Sequence, residues 1–228
     1  MFEDSPAEDL LKENDVILQI DDYKIADDGT INLSEDLLTD YKHAIDLHHI
    51  GDTISINYSR NGQINTIELV AQRAQESYSL VAGEQFDEIP EYLIYGGVLF
   101  VPLNMNLIKR WGNDWSRSAP VGLLQARNEW SSPQQREVVV ALQVLAADVN
   151  LGYHDWRNWI VEDVNGQLVQ DFKHFSQILR NNTSVNVVFE NKNGYQMVIN
   201  HESAIATEEQ ILNQYRIPSA HSVGLFKD

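Results

Sequence analysis

The chain contains no cysteine. This rules out a disulfide framework, a thiol nucleophile and the zinc sites built on thiolate ligands. The compartment stays open, because cysteine-free chains suit reducing and oxidising surroundings alike. Basic residues are scarce: 16 Lys and Arg stand against 34 Asp and Glu, a formal charge of −18. That potential repels phosphate backbones and anionic lipid surfaces, so no nucleic-acid partner is expected. Long apolar runs are also missing. No segment approaches the ~20 apolar residues of a membrane span, and Met1-Phe2-Glu3-Asp4-Ser5-Pro6 has neither a basic nor an apolar leader region. No membrane span is expected.

What is present is ordinary globular composition, 43% hydrophobic and 22% charged over 228 residues. This is enough for one large domain or two of about 100 residues each. A pattern that occurs twice favours two. An apolar strand reaches a polar turn, a short helix follows, and an apolar hairpin closes the unit. The first copy holds Asp15-Val16-Ile17-Leu18-Gln19-Ile20-Asp21-Asp22-Tyr23 and then Gly51-Asp52-Thr53-Ile54-Ser55-Ile56-Asn57-Tyr58 with Asn61-Gly62. The second holds Trp159-Ile160-Val161-Glu162-Asp163-Val164-Asn165-Gly166 and then Val185-Asn186-Val187-Val188-Phe189 with Asn193-Gly194. Related modules of this size point to binding rather than catalysis.

Ser5-Pro6-Ala7-Glu8-Asp9 predicts a capped helix to about Lys12. Asn14 then suits a left-handed turn into a strand at residues 16–20. Leu37, Leu38, Tyr41, Ile45 and Leu47 approximate helical spacing. Ile54, Ile56 and Tyr58 alternate as a strand, and Asn61-Gly62 is a tight-hairpin signal. These assign a first domain to residues 1–75, a polar linker to 76–90 and a second domain to 91–228. In the second, residues 92–103 read as one apolar strand entered through Gly96-Gly97, and residues 138–145 as a buried strand. A helix at 171–179 presents Phe172, Phe175, Ile178 and Leu179 on one side, and a last helix spans about 208–215. The fold class is α+β, with short antiparallel strands and flanking helices.

Several segments in order carry a family resemblance. Ser5-Pro6-Ala7 with Leu10, Leu11, Lys12 and Asp15-Val16-Ile17 resembles the middle of a PDZ domain from the HtrA/Deg serine proteases. Tyr95-Gly96-Gly97-Val98-Leu99-Phe100-Val101-Pro102-Leu103, Gln143-Val144-Leu145-Ala146-Ala147-Asp148-Val149-Asn150-Leu151-Gly152-Tyr153 and Ile217-Pro218-Ser219-Ala220 are similar to the tandem PDZ region of plant-type Deg proteases and their bacterial relatives. The likeness covers nearly the whole chain. It implies two PDZ-like modules, the first lacking the carboxylate loop and pairing strand that normally precede its Ser-Pro-Ala helix, and therefore N-terminally truncated. The family's protease domain carries a His, Asp and Ser triad, but no Gly-x-Ser-x-Gly or Gly-Asn/Asp-Ser-Gly-Gly occurs here. No catalytic residue is assigned, and the chain alone is read as no enzyme.

The resemblance further implies a peptide groove in the second module, filled by strand addition. The docking strand would be residues 98–101, with Val98, Leu99 and Phe100 beside the peptide. Tyr95, Gly96 and Gly97 would aim amides at a terminal carboxylate. Phe172, Phe175 and Leu179 would line the facing side. The implied partners are C-termini of peptides or unfolded proteins, the parent's protease domain and further copies of the chain, with the bacterial periplasm or envelope as location. Three alternatives sit beside this one: the glycine pair is a plain turn, the phenylalanines are plain core, or the edge is closed by a neighbouring subunit so that the region is an oligomerisation scaffold.

Other candidates carry less. His43, His48 and His49 with Asp46 and Asp52 read as a solvated helix end rather than a metal site. His154-Asp155 has no nucleophile motif near it. Trp111, Trp115, Trp130, Trp156 and Trp159 suit a core or an interface. No metal and no cofactor is assigned.

Overall fold

The computed structural model describes residues 5–34, 37–72 and 75–226. Residues 1–4, read above for a leader, lie outside these, as do 35–36, 73–74 and 227–228. The contacts divide the chain into two units, Met1–Ser77 and Tyr78–Asp228.

The first unit runs β1 (Val16–Ile20), β2 (Tyr23–Lys24), β3 (Thr30–Ser34), β4 (Leu37–Asp40), α1 (Lys42–Asp46), β5 (Thr53–Arg60) and β6 (Gln63–Val70). An antiparallel sheet has the order β2-β1-β5-β6, and β3 with β4 forms a separate hairpin. Ile54, Ile56 and Tyr58 alternate inward along β5, and Ile54 and Ile56 join Ile20, Ile31, Ala44 and Leu69 in the core. Asn14 is left-handed at φ 71°, and Asn61-Gly62, at φ 53° and 79°, closes the β5–β6 hairpin. Both positive angles are what a two-residue I′ turn demands.

Two expectations in this unit are corrected. Residues 5–12 make one turn rather than a capped helix: Leu11 N donates to Ala7 O at 3.0 Å, and the Lys12 amide is taken by Asp15 Oδ2 at 2.7 Å. The Ser5 hydroxyl is buried without a hydrogen-bond partner instead of capping. Residues 37–40 form strand β4, not helix, because their backbone pairs with β3 from Thr30↔Asp40 to Ser34↔Leu37. Leu37 and Leu38 are exposed, so the helical spacing marked no buried face.

The second unit runs β7 (Leu93–Tyr95), β8 (Val98–Pro102), α2 (Met105–Lys109), α3 (Trp115–Ser118), α4 (Val121–Arg127), β9 (Val139–Val144), β10 (Arg157–Val161), β11 (Asp163–Val164), β12 (Gln167–Leu168), α5 (Phe172–Arg180), β13 (Asn186–Glu190), β14 (Gln196–Asn200) and α6 (His201–Tyr215). Its sheets are ordered β10-β9-β8-β7 and β12-β11-β13-β14. The second order repeats that of the first unit, and both begin with a left-handed polar turn, Asp21 at φ 47° and Asn165 at φ 53°. The internal repeat is thus a repeated four-stranded sheet.

The continuous apolar run of β9 is buried on both faces. Val139 and Ala141 join an aromatic cluster of Phe100, Phe172, Phe175 and Phe189, while Val138 and Val140 join Leu103, Ile108 and Leu123 under the short helices. Leu80 and Val81 belong to that second cluster, so this part of the expected 76–90 linker is packed core. Helix α6 begins at His201, well before residue 208, because the Asn200 side chain caps it by accepting from Ser203 N at 2.9 Å.

Candidate functional site

Residues 92–103 form a hairpin rather than a single strand. Tyr95↔Val98 is its last pair, and Gly96 and Gly97 are its two turn residues, at φ 55° and 79°. Glycine is required twice over. A Cβ on Gly96 would lie 2.7 Å from Ile199 Cγ2, and one on Gly97 would lie 2.7 Å from the Leu145 carbonyl. Beneath the turn, fully buried Asn150 donates to Gly96 O and Leu145 O at 2.8 Å each, and accepts from Ala147 N at 3.0 Å. Leu145 N donates to Gly97 O at 2.7 Å. Tyr95, Gly96 and Gly97, read as a carboxylate cradle, form a tight hairpin turn whose two glycine carbonyls are held from below, by the Asn150 side-chain amide and by Leu145 N.

The docking strand is corrected as well. β8 pairs with β7 on one side, Leu93↔Phe100 to Tyr95↔Val98, and with β9 on the other, Val98↔Val144 to Pro102↔Val139. Residues 98–100 thus have a strand on either side, and Val101 is paired with β9 alone. β7 has an extra neighbour of its own: Ile94 N donates to Ala220 O at 2.6 Å and Ser222 N to Tyr92 O at 3.0 Å, so residues 220–222 lie along it as an added antiparallel segment. Ala220, Ser222 and Leu225 are buried, the last within the aromatic cluster.

The predicted side chains do come together, but as core. Val98, Phe100, Phe172 and Phe175 are 0% exposed and Leu179 4%. Phe100 and Phe175 rings lie 4.8 Å apart between centroids, and Phe100 and Phe189 4.9 Å. Leu99 points elsewhere, against Ile94, Leu145 and Ile211. Tyr95 meets Phe189 edge-on at 6.1 Å, and its hydroxyl sits 2.7 Å from His201 Nδ1. Burial pushes that phenol up to about 12.

Helix α5, which delivers the phenylalanines, is fixed at its start by Asp171. Its carboxylate accepts from His174 N at 2.6 Å and from Arg136, while Glu137 Oε2 accepts from Phe172 N at 2.9 Å. Burial pushes Asp171 up, but the His174 amide and the Arg136 guanidinium outweigh it, and the carboxyl rests below its usual range. Among the described residues no group of three or more His, Asp or Glu is placed to hold a metal, and no helix is long and apolar enough to cross a membrane.

A cleft that the sequence reading missed lies on the outer side of β9 and β10. It holds about 210 Å³ and is lined by Arg110, Leu142, Gln143, Val144, His154, Trp156, Arg157 and Asn158. Two backbone departures shape it. Leu142 is the extra residue of a β-bulge, since Leu99↔Gln143 is followed by Phe100↔Ala141. Asn158, within β10, is left-handed at φ 54°. The available signal was the run His154, Trp156, Arg157 in so acidic a chain; the bulge and the meeting with Arg110 are tertiary and had none.

Residues 81–224 match the family described as PDZ domain. The chain is 28% identical over 228 residues to Protease Do-like 2, chloroplastic, of Arabidopsis thaliana, covering 98% of this chain and 36% of that protein. It is 26% identical to Protease Do-like 4, mitochondrial, of the same plant, covering 95% and 39%. The Serine protease DegP homolog of Plasmodium falciparum (isolate 3D7) is 25% identical over 88% of this chain and 22% of its own length. The chain therefore spans well under half of these relatives.

Proposed function

We propose, from the premise that this chain belongs to the PDZ domain family, that it serves a Deg/HtrA-type serine endopeptidase as a non-catalytic regulatory region, acting as an assembly scaffold rather than by capturing peptide C-termini at Gly96-Gly97. The relatives carry the word protease in their names, and the chain matches a PDZ-sized share of them. The observation that carries the scaffold reading is the occupancy of β8. Its two edges are held by β7 and β9, and the next edge outward is held by residues 220–222. A strand-adding peptide needs a run of unpaired backbone, and β8 is flanked on both sides over Val98–Phe100.

The surface that favours self-assembly is in the first unit. β6 ends its sheet, is eight residues long, and exposes Ile64 at 73% and Val70 at 46%. Long apolar edges of this kind pair with other chains unless charge or bulges blunt them. The test is sedimentation velocity over a range of concentrations. A concentration-dependent mass that Ile64→Lys with Val70→Lys reduces to the monomer supports the scaffold. A chain that stays monomeric, or that binds peptide C-termini saturably with protection of the β7 and β8 amides, overturns it.

A further inference from the structure

We infer that Asn61 is a self-modifying site, whose side-chain amide is lost to attack by the Gly62 backbone nitrogen, so that the β5–β6 turn converts with time to an aspartyl or isoaspartyl form. The step needs no cofactor and no second protein. The Gly62 nitrogen forms a bond to Asn61 Cγ, the Cγ–Nδ2 bond breaks, and the proton of the attacking nitrogen leaves with Nδ2 as ammonia, which closes a cyclic imide. Water then opens the imide at one of its two carbonyls. The Cγ–N bond breaks to give aspartate with the original backbone, or the backbone C–N bond breaks to give isoaspartate. The net change is loss of ammonia, uptake of water and one new carboxylate.

Sequence alone does not single out this position. Asn61-Gly62, Asn165-Gly166, Asn193-Gly194 and Asp28-Gly29 all place an acyl side chain before a glycine, whose missing Cβ opens the approach. All four glycines have positive φ, between 75° and 81°. The fold separates them. Gly166 N donates to Asp163 Oδ1 at 2.9 Å, and the Asn165 amide is tied at both ends, donating to Asn182 Oδ1 at 3.0 Å and accepting from Val188 N at 2.8 Å. Gly194 N donates to Asn191 O at 2.9 Å, and Asn191 Oδ1 stitches the same loop by accepting from Asn193 N at 2.9 Å and Tyr195 N at 3.0 Å. Gly29 N donates to Ala26 O at 2.9 Å, and the Thr30 hydroxyl and amide hold the Asp28 carboxyl below its usual range, as a carboxylate that resists attack.

At Asn61-Gly62 none of these restraints exists. Among the described residues neither Gly62 N nor the Asn61 side chain has a hydrogen-bond partner, both residues are exposed, and nothing lies within 4 Å of a Cβ built on Gly62. Asn61 turns toward the nitrogen once the tip of the hairpin frays, and hairpin tips belong to the least stable parts of a fold. The two or three bonds that hold each other site must break first, which slows reaction there about tenfold or more. The product matters locally. Isoaspartate carries the main chain through Cβ and Cγ, adding a methylene between Arg60 and Gln63, the last pair of the hairpin, where an I′ turn holds two residues. Arg60 also grips Asp15 and Leu10 O, so a change at the tip reaches the turn at residues 7–11.

The experiment is timed incubation of the full chain at mildly alkaline pH, folded in buffer and unfolded in urea, followed by peptide mapping by mass spectrometry, which separates aspartyl from isoaspartyl products at each position. In the folded chain Asn61 is expected to convert about tenfold or more faster than Asn165 and Asn193, with Asp28 unchanged. In urea the three asparagines should converge, because their following residue is the same. Asn191→Ala, checked for folding by its urea midpoint, should quicken conversion at Asn193 severalfold and leave Asn61 as it was. Equal rates at the three asparagines in the folded chain, an Asn61 that stays intact there, or an order of rates that persists in urea overturns the inference.

Discussion

The buried side-chain amide of Asn150 lies 2.8 Å from the Gly96 carbonyl and donates to it. The same nitrogen donates to Leu145 O, so a single residue satisfies both carbonyls beneath the β7–β8 turn. Removing it strands two acceptors away from water, each costing about 1–3 kcal/mol. Asn150→Ala is expected to lower stability by roughly 2–4 kcal/mol in urea unfolding. Asn150→Asp should be worse, because a carboxylate faces those carbonyls without a donor.

Tyr95 gives an alkaline signature. Its phenol is pushed up to about 12 by burial, above its ordinary 10. Below pH 10 the group is neutral in both folded and unfolded chains and its contribution is fully present. Between pH 10 and 12 the unfolded chain ionises first, so that contribution falls as pH rises. Unfolding free energies measured across this window should decline more steeply for the natural chain than for Tyr95→Phe. Parallel slopes would show that the phenol is not held neutral by the fold.

Local chemistry explains which features were legible in advance. Asn61-Gly62 and Asn165-Gly166 are turns by their own backbone preferences, and both copies of the sheet were visible because alternation and turn residues are local. The buried run of β9 was equally plain. Leu37 and Leu38 misled because helical spacing ignores the partner strand that β3 supplies. Gly96-Gly97 misled for a related reason: a glycine pair specifies positive φ, and either a tight hairpin or an amide cradle satisfies that. The contact that holds the turn, Asn150, lies 53 to 54 positions downstream and has no local signal. Arg110 and Arg157 likewise meet only in three dimensions.

The segment at residues 220–222 should behave as a clasp on β7. Leu225, buried among the aromatics, anchors it, and Ile94 N and Ser222 N make its backbone bonds. Leu225→Ala removes the anchor at a cost of about 2–4 kcal/mol. Hydrogen exchange should then quicken at the Ile94 and Ser222 amides well before it does on central β8. Uniform acceleration across β7, β8 and β9 would mean that the clasp and the sheet open as one unit.

Acid should loosen the first unit through Asp15 and Arg60. The pair is bidentate, Nε to Oδ1 at 2.8 Å and Nη2 to Oδ2 at 2.6 Å, and the Asp15 side chain is only 4% exposed. The Arg60 hydrogen bonds hold its carboxyl at about 2, down from an ordinary 3.8. A depressed carboxyl stabilises the fold above its ordinary pKa and loses that effect as pH falls through the folded value, so the window runs from pH 3.8 down to about 2. Arg60 also donates to Leu10 O at 2.9 Å, which ties the turn at residues 7–11 to the same switch. Amide spectra taken from pH 5 to 2 should therefore show residues 7–15 and β5 losing native signals together, with Asp15→Asn already destabilised at neutral pH and flatter across the window. Arg60→Lys should not rescue, since a single ammonium cannot make the forked contact. A natural chain whose first-unit stability is unchanged between pH 4 and 2 would refute this assignment.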